Sequence, residues 1–190
     1  MVKKVLGKGV YIKGKYTFGK KGKPTKEYSV WLSMLTRCYN ERFIKNNETY
    51  VGCTVCDEWH NFQTFAEWFE RNYIDGYQLD KDLIVKGNKF YSPETCCFIP
   101  QEINLLLVNR KRDRGIYPIG VSRDKNKLAA NIDIKAKRKY LGNYNTIEEA
   151  FNVYKKAKES HIVSMAEEYK DKIPIEVYHT LLNYTININD

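Results

Sequence analysis

The stretch from Ile119 to Tyr169 leaves the chain the fewest folds to choose from. Three runs read as strands, Ile119–Ser122, Leu128–Lys135 and Arg138–Tyr144, parted by turns at Arg123–Lys127 and Ala136-Lys137. Asn145-Thr146-Ile147-Glu148-Glu149 follows, an N-cap with acids in the first turn, where they suit the positive end of a helix. The helix continues through Ala150, Tyr154, Ala157 and Ile162 to about Tyr169. Three short strands need something to bury one face, and a helix next in sequence supplies it. The expectation is a three-stranded antiparallel sheet packed on one helix.

Upstream the pattern differs. Residues 1–27 are a basic arm or hairpin, with Val10-Tyr11-Ile12 and Tyr16-Thr17-Phe18 on either side of Gly14-Lys15. Thr25 with Tyr28 to Cys38 predicts a helix, since Val30, Trp31, Met34, Leu35 and Cys38 recur at three and four residues. Residues 40–52 read as a polar loop. Asp57-Glu58-Trp59 opens a second helix carrying Phe62, Phe65, Ala66 and Phe69. Leu79 to Val85 reads as a strand, Lys86-Gly87-Asn88-Lys89 as a turn, Cys96–Ile99 as a second strand, and Pro100 to Leu107 as a helix with proline in its favoured first turn. That order is a ββα unit. The fold class is therefore α+β: a ββα module with flanking helices over residues 28–110, the sheet-plus-helix module over 111–170, and a C-terminal extension over 171–190 containing a small helix at Ile175–Asn183. The basic run at 109–115 is the linker.

Net charge is +9 over 190 residues, and it is clustered. Residues 1–26 hold nine lysines and no acid, 110–114 read Arg-Lys-Arg-Asp-Arg, and Arg123 to Lys139 is again basic. Such clusters neutralise phosphates and release counterions. Charge alone favours a nucleic-acid partner, although membrane-surface proteins share it and a merely solvated surface is the alternative. No apolar run approaches the roughly 20 residues that span a bilayer, and Gly7 and Lys8 interrupt any apolar signal core at the start. The expected setting is cytoplasmic, with reduced cysteines.

Two resemblances sharpen this. Arg37-Cys38-Tyr39-Asn40, Tyr50-Val51-Gly52, Val55-Cys56-Asp57-Glu58-Trp59, Leu79-Asp80-Lys81-Asp82, Tyr91-Ser92-Pro93-Glu94-Thr95-Cys96 and Glu102-Ile103-Asn104 stand in order over residues 28–108. Together they resemble the phage-type HNH endonucleases. The resemblance implies a divalent metal, Mg²⁺ or a similar ion, on the scissile phosphate, with Asp80 and Asn104 as its ligands and Asp80, Asp82 and Asn104 as the catalytic set. It also implies a phage or mobile-element homing enzyme working in a bacterial host. The chain departs from the family where it matters: no histidine lies between Asn61 and Ser160, and Asp80 and Asp82 stand where a His pair or Asp-His pair is usual. A catalytically inactive descendant, a regulator or an inhibitor of a host nucleic-acid enzyme, is the alternative. So is a plain structural role for both acids as exposed strand residues.

Gly120-Val121-Ser122, Leu128-Ala129-Ala130-Asn131-Ile132-Asp133, Lys139-Tyr140-Leu141-Gly142-Asn143-Tyr144 and Thr146 to Tyr154 resemble the plant ethylene-response-factor DNA-binding domain. In that family the sheet enters the major groove of duplex DNA. The matching contact positions are Ser122, Asp124, Asn126, Asn131, Asp133, Arg138 and Tyr140. Ser122, Asp124 and Asp133 replace arginines of the plant proteins, so sequence preference does not transfer. Asn131 suits adenine, and Arg138 suits guanine or phosphate. Lys125, Lys127, Lys135, Lys137 and Lys139, with Arg110, Lys111 and Arg112 in the linker, would hold the backbone. The partner expected is double-stranded DNA, with structured RNA less favoured; no small-molecule substrate and no membrane are expected. Cys53-x-x-Cys56 and Cys96-Cys97 are not a normal zinc pairing, so zinc is not expected and the five cysteines read as buried free thiols.

Overall fold

Helix α1, Lys26–Tyr39, is set by its apolar spacing and by Thr25, whose hydroxyl accepts the Tyr28 N–H. It buries Trp31, Met34, Leu35 and Cys38 against α4, Phe62–Asn72, which buries Phe62, Phe65, Ala66 and Phe69. The computed structural model describes residues 2–108, 115–135 and 137–190, and divides into two units between Gln101 and Glu102.

In the first unit, β1 (Val2–Val5) and β2 (Gly9–Ile12) form an antiparallel hairpin. Gly9 is required there: a Cβ would stand 2.4 Å from Leu35 Cδ1 and 3.0 Å from the Trp31 ring. Tyr11 stacks its edge on Tyr28 and its tilted face on Phe62. The Trp31 indole N–H donates to the Trp59 carbonyl at 2.7 Å, so this buried tryptophan leaves no orphan donor. Each such fully buried aromatic contributes about 1.5–3 kcal/mol over an exposed one. A second small hairpin joins β3 (Gly19–Lys20) to β4 (Lys23–Pro24) through Lys21 and Gly22, both at positive φ as a two-residue hairpin turn demands.

Several expectations need adjusting here. Tyr16-Thr17-Phe18 is not a strand; the hairpin partner of Gly9–Ile12 is the segment before it. The loop expected at 40–52 contains helix α2, Glu41–Asn46, because the Asn40 side chain caps it through the Phe43 N–H at 2.9 Å, and a 3-10 turn at Glu48–Tyr50. The helix from Asp57 is two helices, α3 (Asp57–His60) and α4, because Asn61 breaks off and caps the second through the Gln63 N–H. A short parallel pair, β5 (Thr54–Val55) with β7 (Phe90–Tyr91), carries too few residues to show a period. Strand β6 is only Gln78–Asp80; it pairs antiparallel with β8, Cys97–Ile99. The expected continuation to Val85 fails because Asp80 turns the chain.

In the second unit, α5 (Gln101–Leu107) precedes β9 (Val121–Asp124), β10 (Lys127–Ile134) and β11 (Lys137–Tyr144), an antiparallel sheet in the order β11-β10-β9. Helix α6, Ile147–Tyr169, packs on all three strands. Within the expected capping run the cap is Thr146: its hydroxyl accepts the Glu149 N–H and the Glu149 carboxylate accepts the Thr146 N–H, a capping box. Helix α7, Ile175–Leu182, lies on α6, with Tyr178 donating to Glu167 at 2.7 Å. Among the described residues, seven helices and several small sheets, one of them three-stranded, make an α+β architecture. Among the described residues, no helix is long and apolar enough to cross a membrane.

Candidate nucleic-acid interface

Strand alternation and register sort the sheet into two faces. Val121, Ala130 and Ile132 are buried on the side where α6 packs. The other side presents Ser122 and Asp124 from β9, Lys127, Ala129, Asn131 and Asp133 from β10, and Arg138, Tyr140 and Asn143 from β11. Tyr140 and Asn143 share this face although three residues apart. Ala130 opposes Gly142 while Asn131 opposes Tyr140, so Leu141 is the extra residue of a bulge. Nothing from α6 covers this face, and Tyr140 is 57% exposed.

The polar groups there are held in place by each other. Arg138 donates to Asp133 twice, from Nε at 3.1 Å and from Nη2 at 3.2 Å. The Asn143 amide donates to Asp124 at 2.9 Å, two strands away, across the middle strand where Ala129 opposes Asn143. Asn131 donates to the Ser122 hydroxyl at 3.4 Å. The side chains on this face include two acids and two bases, so it sums to neutral. Exposed cations edge it, Lys125 in the β9–β10 turn and Lys135 in the β10–β11 turn, while Lys137 and Lys139, opposite Ile134 and Ile132, alternate to the α6 side.

Ser122, Lys125, Asn126, Lys127, Asn131, Arg138 and Tyr140, all named from sequence, thus fall on one face or on the turn that edges it. Asn143 was missed, since strict alternation from Tyr140 puts it on the helix side. Arg110, Lys111 and Arg112 lie outside the described residues. In the first unit, all nine lysines of residues 1–26 are exposed, and Lys15 pairs with Glu70 at 2.7 Å.

The acids of the expected catalytic set are built differently. Asp80 Oδ1 accepts the N–H of Asp82 at 3.0 Å and of Leu83 at 2.8 Å, which turns the chain out of β6. Burial pushes the Asp80 carboxyl above its usual range, with the Asp82 charge adding to this and the two N–H bonds opposing it. Asp82 is exposed and pairs with Lys81 at 3.1 Å. Lys81 is almost wholly buried, its ammonium also donating to the Asn88 carbonyl at 2.8 Å, while the Asn88 amide returns a bond to the Lys81 carbonyl at 2.7 Å. Arg37 of α1 is half-buried, hydrogen-bonded to Tyr91 and within the field of Asp80. Nothing in the sequence signals that proximity, since 37 and 80 are far apart in the chain. Asp80 belongs to the first unit and Asn104, on α5, to the second.

Comparison with known protein families, with curated proteins and with solved structures finds no match.

Function therefore has to be argued from these two constellations. The cysteines add no third. All five are free and buried, and burial pushes the thiols of Cys38 and Cys96 up to about 12 and that of Cys56 to about 11. They act as small core residues of the first unit and of β8.

Proposed function

We propose that the protein binds duplex DNA, with the outer face of β9–β11 lying in the major groove and the surrounding lysines on the phosphates. The observation that carries this reading is the gathering of Ser122, Asn131, Arg138 and Tyr140 on one open face, with Lys125, Asn126 and Lys127 at its rim. A two- or three-stranded β-ribbon fits the width of the major groove, and amides and guanidinium groups match the donor and acceptor pattern of base edges there. The resemblances to two DNA-acting families point the same way. The work would be done in the cytoplasm of a bacterial host. Fluorescence anisotropy of the full chain on a short duplex tests it: affinity should fall by 10²-fold or more between about 50 and about 200 mM salt. Absence of duplex binding at low salt contradicts the reading, and a preference for double-stranded RNA over DNA replaces it.

A second reading adds hydrolysis, as in a mobile-element homing endonuclease. It is favoured by Asp80, a half-buried carboxylate whose proton affinity burial raises in the direction a general base needs, and by the Arg37 guanidinium in its field. Asp80 and Asp82 offer oxygen donors only, which fit Mg²⁺ rather than a thiophilic ion. A bound divalent ion would supply charge neutralisation at the phosphate. Plasmid nicking with Mg²⁺ or Mn²⁺ that is lost in Asp80→Asn supports it. Intact plasmid under every divalent ion leaves a binding protein, a regulator or an inhibitor of a host nucleic-acid enzyme, in which Asp80 serves the turn alone.

A further inference from the structure

The two acids on the outer face are out of place in a phosphate-binding surface, and one of them is tied to the strongest potential base reader. Arg138 and Asp133 are directly opposed across β10 and β11, and both side chains are mostly exposed, 73% and 60%. Their two hydrogen bonds use the Arg138 Nε–H and one Nη2–H, leaving three N–H groups of the guanidinium unspent. Each Asp133 oxygen keeps a lone pair beyond the one it gives Arg138.

Building on the DNA-binding reading above, we propose that Asp133 is a specificity-determining residue: the Asp133–Arg138 pair reads one G·C base pair as a unit. Arg138, its plane fixed by Asp133, donates to the guanine O6 and N7. Asp133 accepts from the cytosine N4 amino group, the base-edge donor a carboxylate selects.

An unpaired arginine on a flexible stem serves phosphate and base alike; one held by two bonds loses less freedom when it docks. A carboxylate pressed against phosphate oxygens is repelled, so Asp133 weakens backbone binding on this face and leaves it to the turn lysines. A carboxylate facing thymine O4 or guanine O6 and N7 meets acceptors only and gives up water for no bond, which penalises those pairs. The Asp124–Asn143 pair lies on the same face but presents no guanidinium, so the fork is built at one place only among the described residues.

Selection from a random-sequence duplex library with the full chain tests the assignment, followed by anisotropy on the selected site. The wild type should fix a G·C pair at one position, with discrimination of roughly 5- to 150-fold against the other pairs. Asp133→Asn should bind random duplex more tightly, by about 3- to 10-fold, with a salt slope steeper by about one phosphate. It should lose the preference at that single position and keep the rest of the site. Arg138→Lys, which keeps the charge and lacks the fork, should lose the same position. Failure of the wild type to bind duplex overturns the DNA reading itself. Wild-type binding with no fixed G·C pair, or an unchanged site in Asp133→Asn, overturns the role of Asp133 alone.

Discussion

The Asp80 carboxylate accepts the backbone N–H of Leu83 at 2.8 Å, and that bond ends strand β6. With the matching bond to Asp82 it holds the chain in the turn that leads Lys81 inward and Asp82 outward. Asp80→Ala removes the acceptor from two N–H groups and should lower stability by about 1 kcal/mol, seen as a reduced denaturation midpoint at unchanged m-value. An unaltered midpoint would show that water satisfies both donors equally well.

Asp80→Asn separates the acceptor from the charge. The folded state raises the proton affinity of this carboxyl, so folding favours its neutral form. Its ionisation then costs stability as pH rises from the ordinary value of 3.8 through the folded value, and the cost is full above that. Asn keeps an acceptor and carries no such cost. Relative to the wild type, Asp80→Asn should gain in Tm as pH is raised from acid to neutral. A constant difference across that range, measured by thermal unfolding in matched buffers, contradicts the burial of this charge.

Gly120 stands at φ +79°, its carbonyl accepting the Asn131 N–H at 2.8 Å; a Cβ here would stand 2.0 Å from Tyr154 Cδ2. Neither the strand nor the helix can yield without shifting the sheet on α6. Gly120→Ala should cost about 2–4 kcal/mol. Gly76→Ala, at φ +81° with open space around it, should cost about 1 kcal/mol from backbone strain alone. Equal losses in the two variants would refute the close packing of Tyr154 under Gly120.

The capping box of α6 gives a fourth stability test. Thr146→Ala should cost about 1 kcal/mol and Thr146→Ser a small fraction of that, because serine restores the bond to the Glu149 N–H. Urea unfolding of both variants decides it; equal midpoints would mean the helix start is held by packing instead.

Legibility in the sequence followed the length of each element. Helix α1, the helical start of α6 and the three strands of the large sheet each run long enough to show a period or a cap, and their bounds lie within a few residues of those read from the sequence. The elements that were missed are short or depend on one side chain. β5 and β7 have two residues each and pair across the chain. The end of β6 depends on where one carboxylate points, and Asp80 in a strand looks the same in sequence as Asp80 in a turn. Asn61 reads as one more polar residue inside a helix until its cap is seen. At the candidate site, alternation recovers Ser122, Asn131, Arg138 and Tyr140, but a bulge resets the phase at Leu141 and hides Asn143. Charge pairing across strands, as in Asp133 with Arg138, follows from register and could not be read from composition. The resemblance-based pairing of Asp80 with Asn104 rests on elements of two different units.

The most direct measurement is duplex affinity of the full chain carrying Asn131→Ala and Tyr140→Ala together. These side chains oppose each other on the outer face and contribute nothing to the side packed by α6, so the fold should survive, as circular dichroism would verify. The account predicts a loss of at least tenfold on a selected site, with the salt slope unchanged because no phosphate-binding charge is removed. Wild-type affinity in the folded double variant would contradict it, and would move DNA recognition away from this sheet.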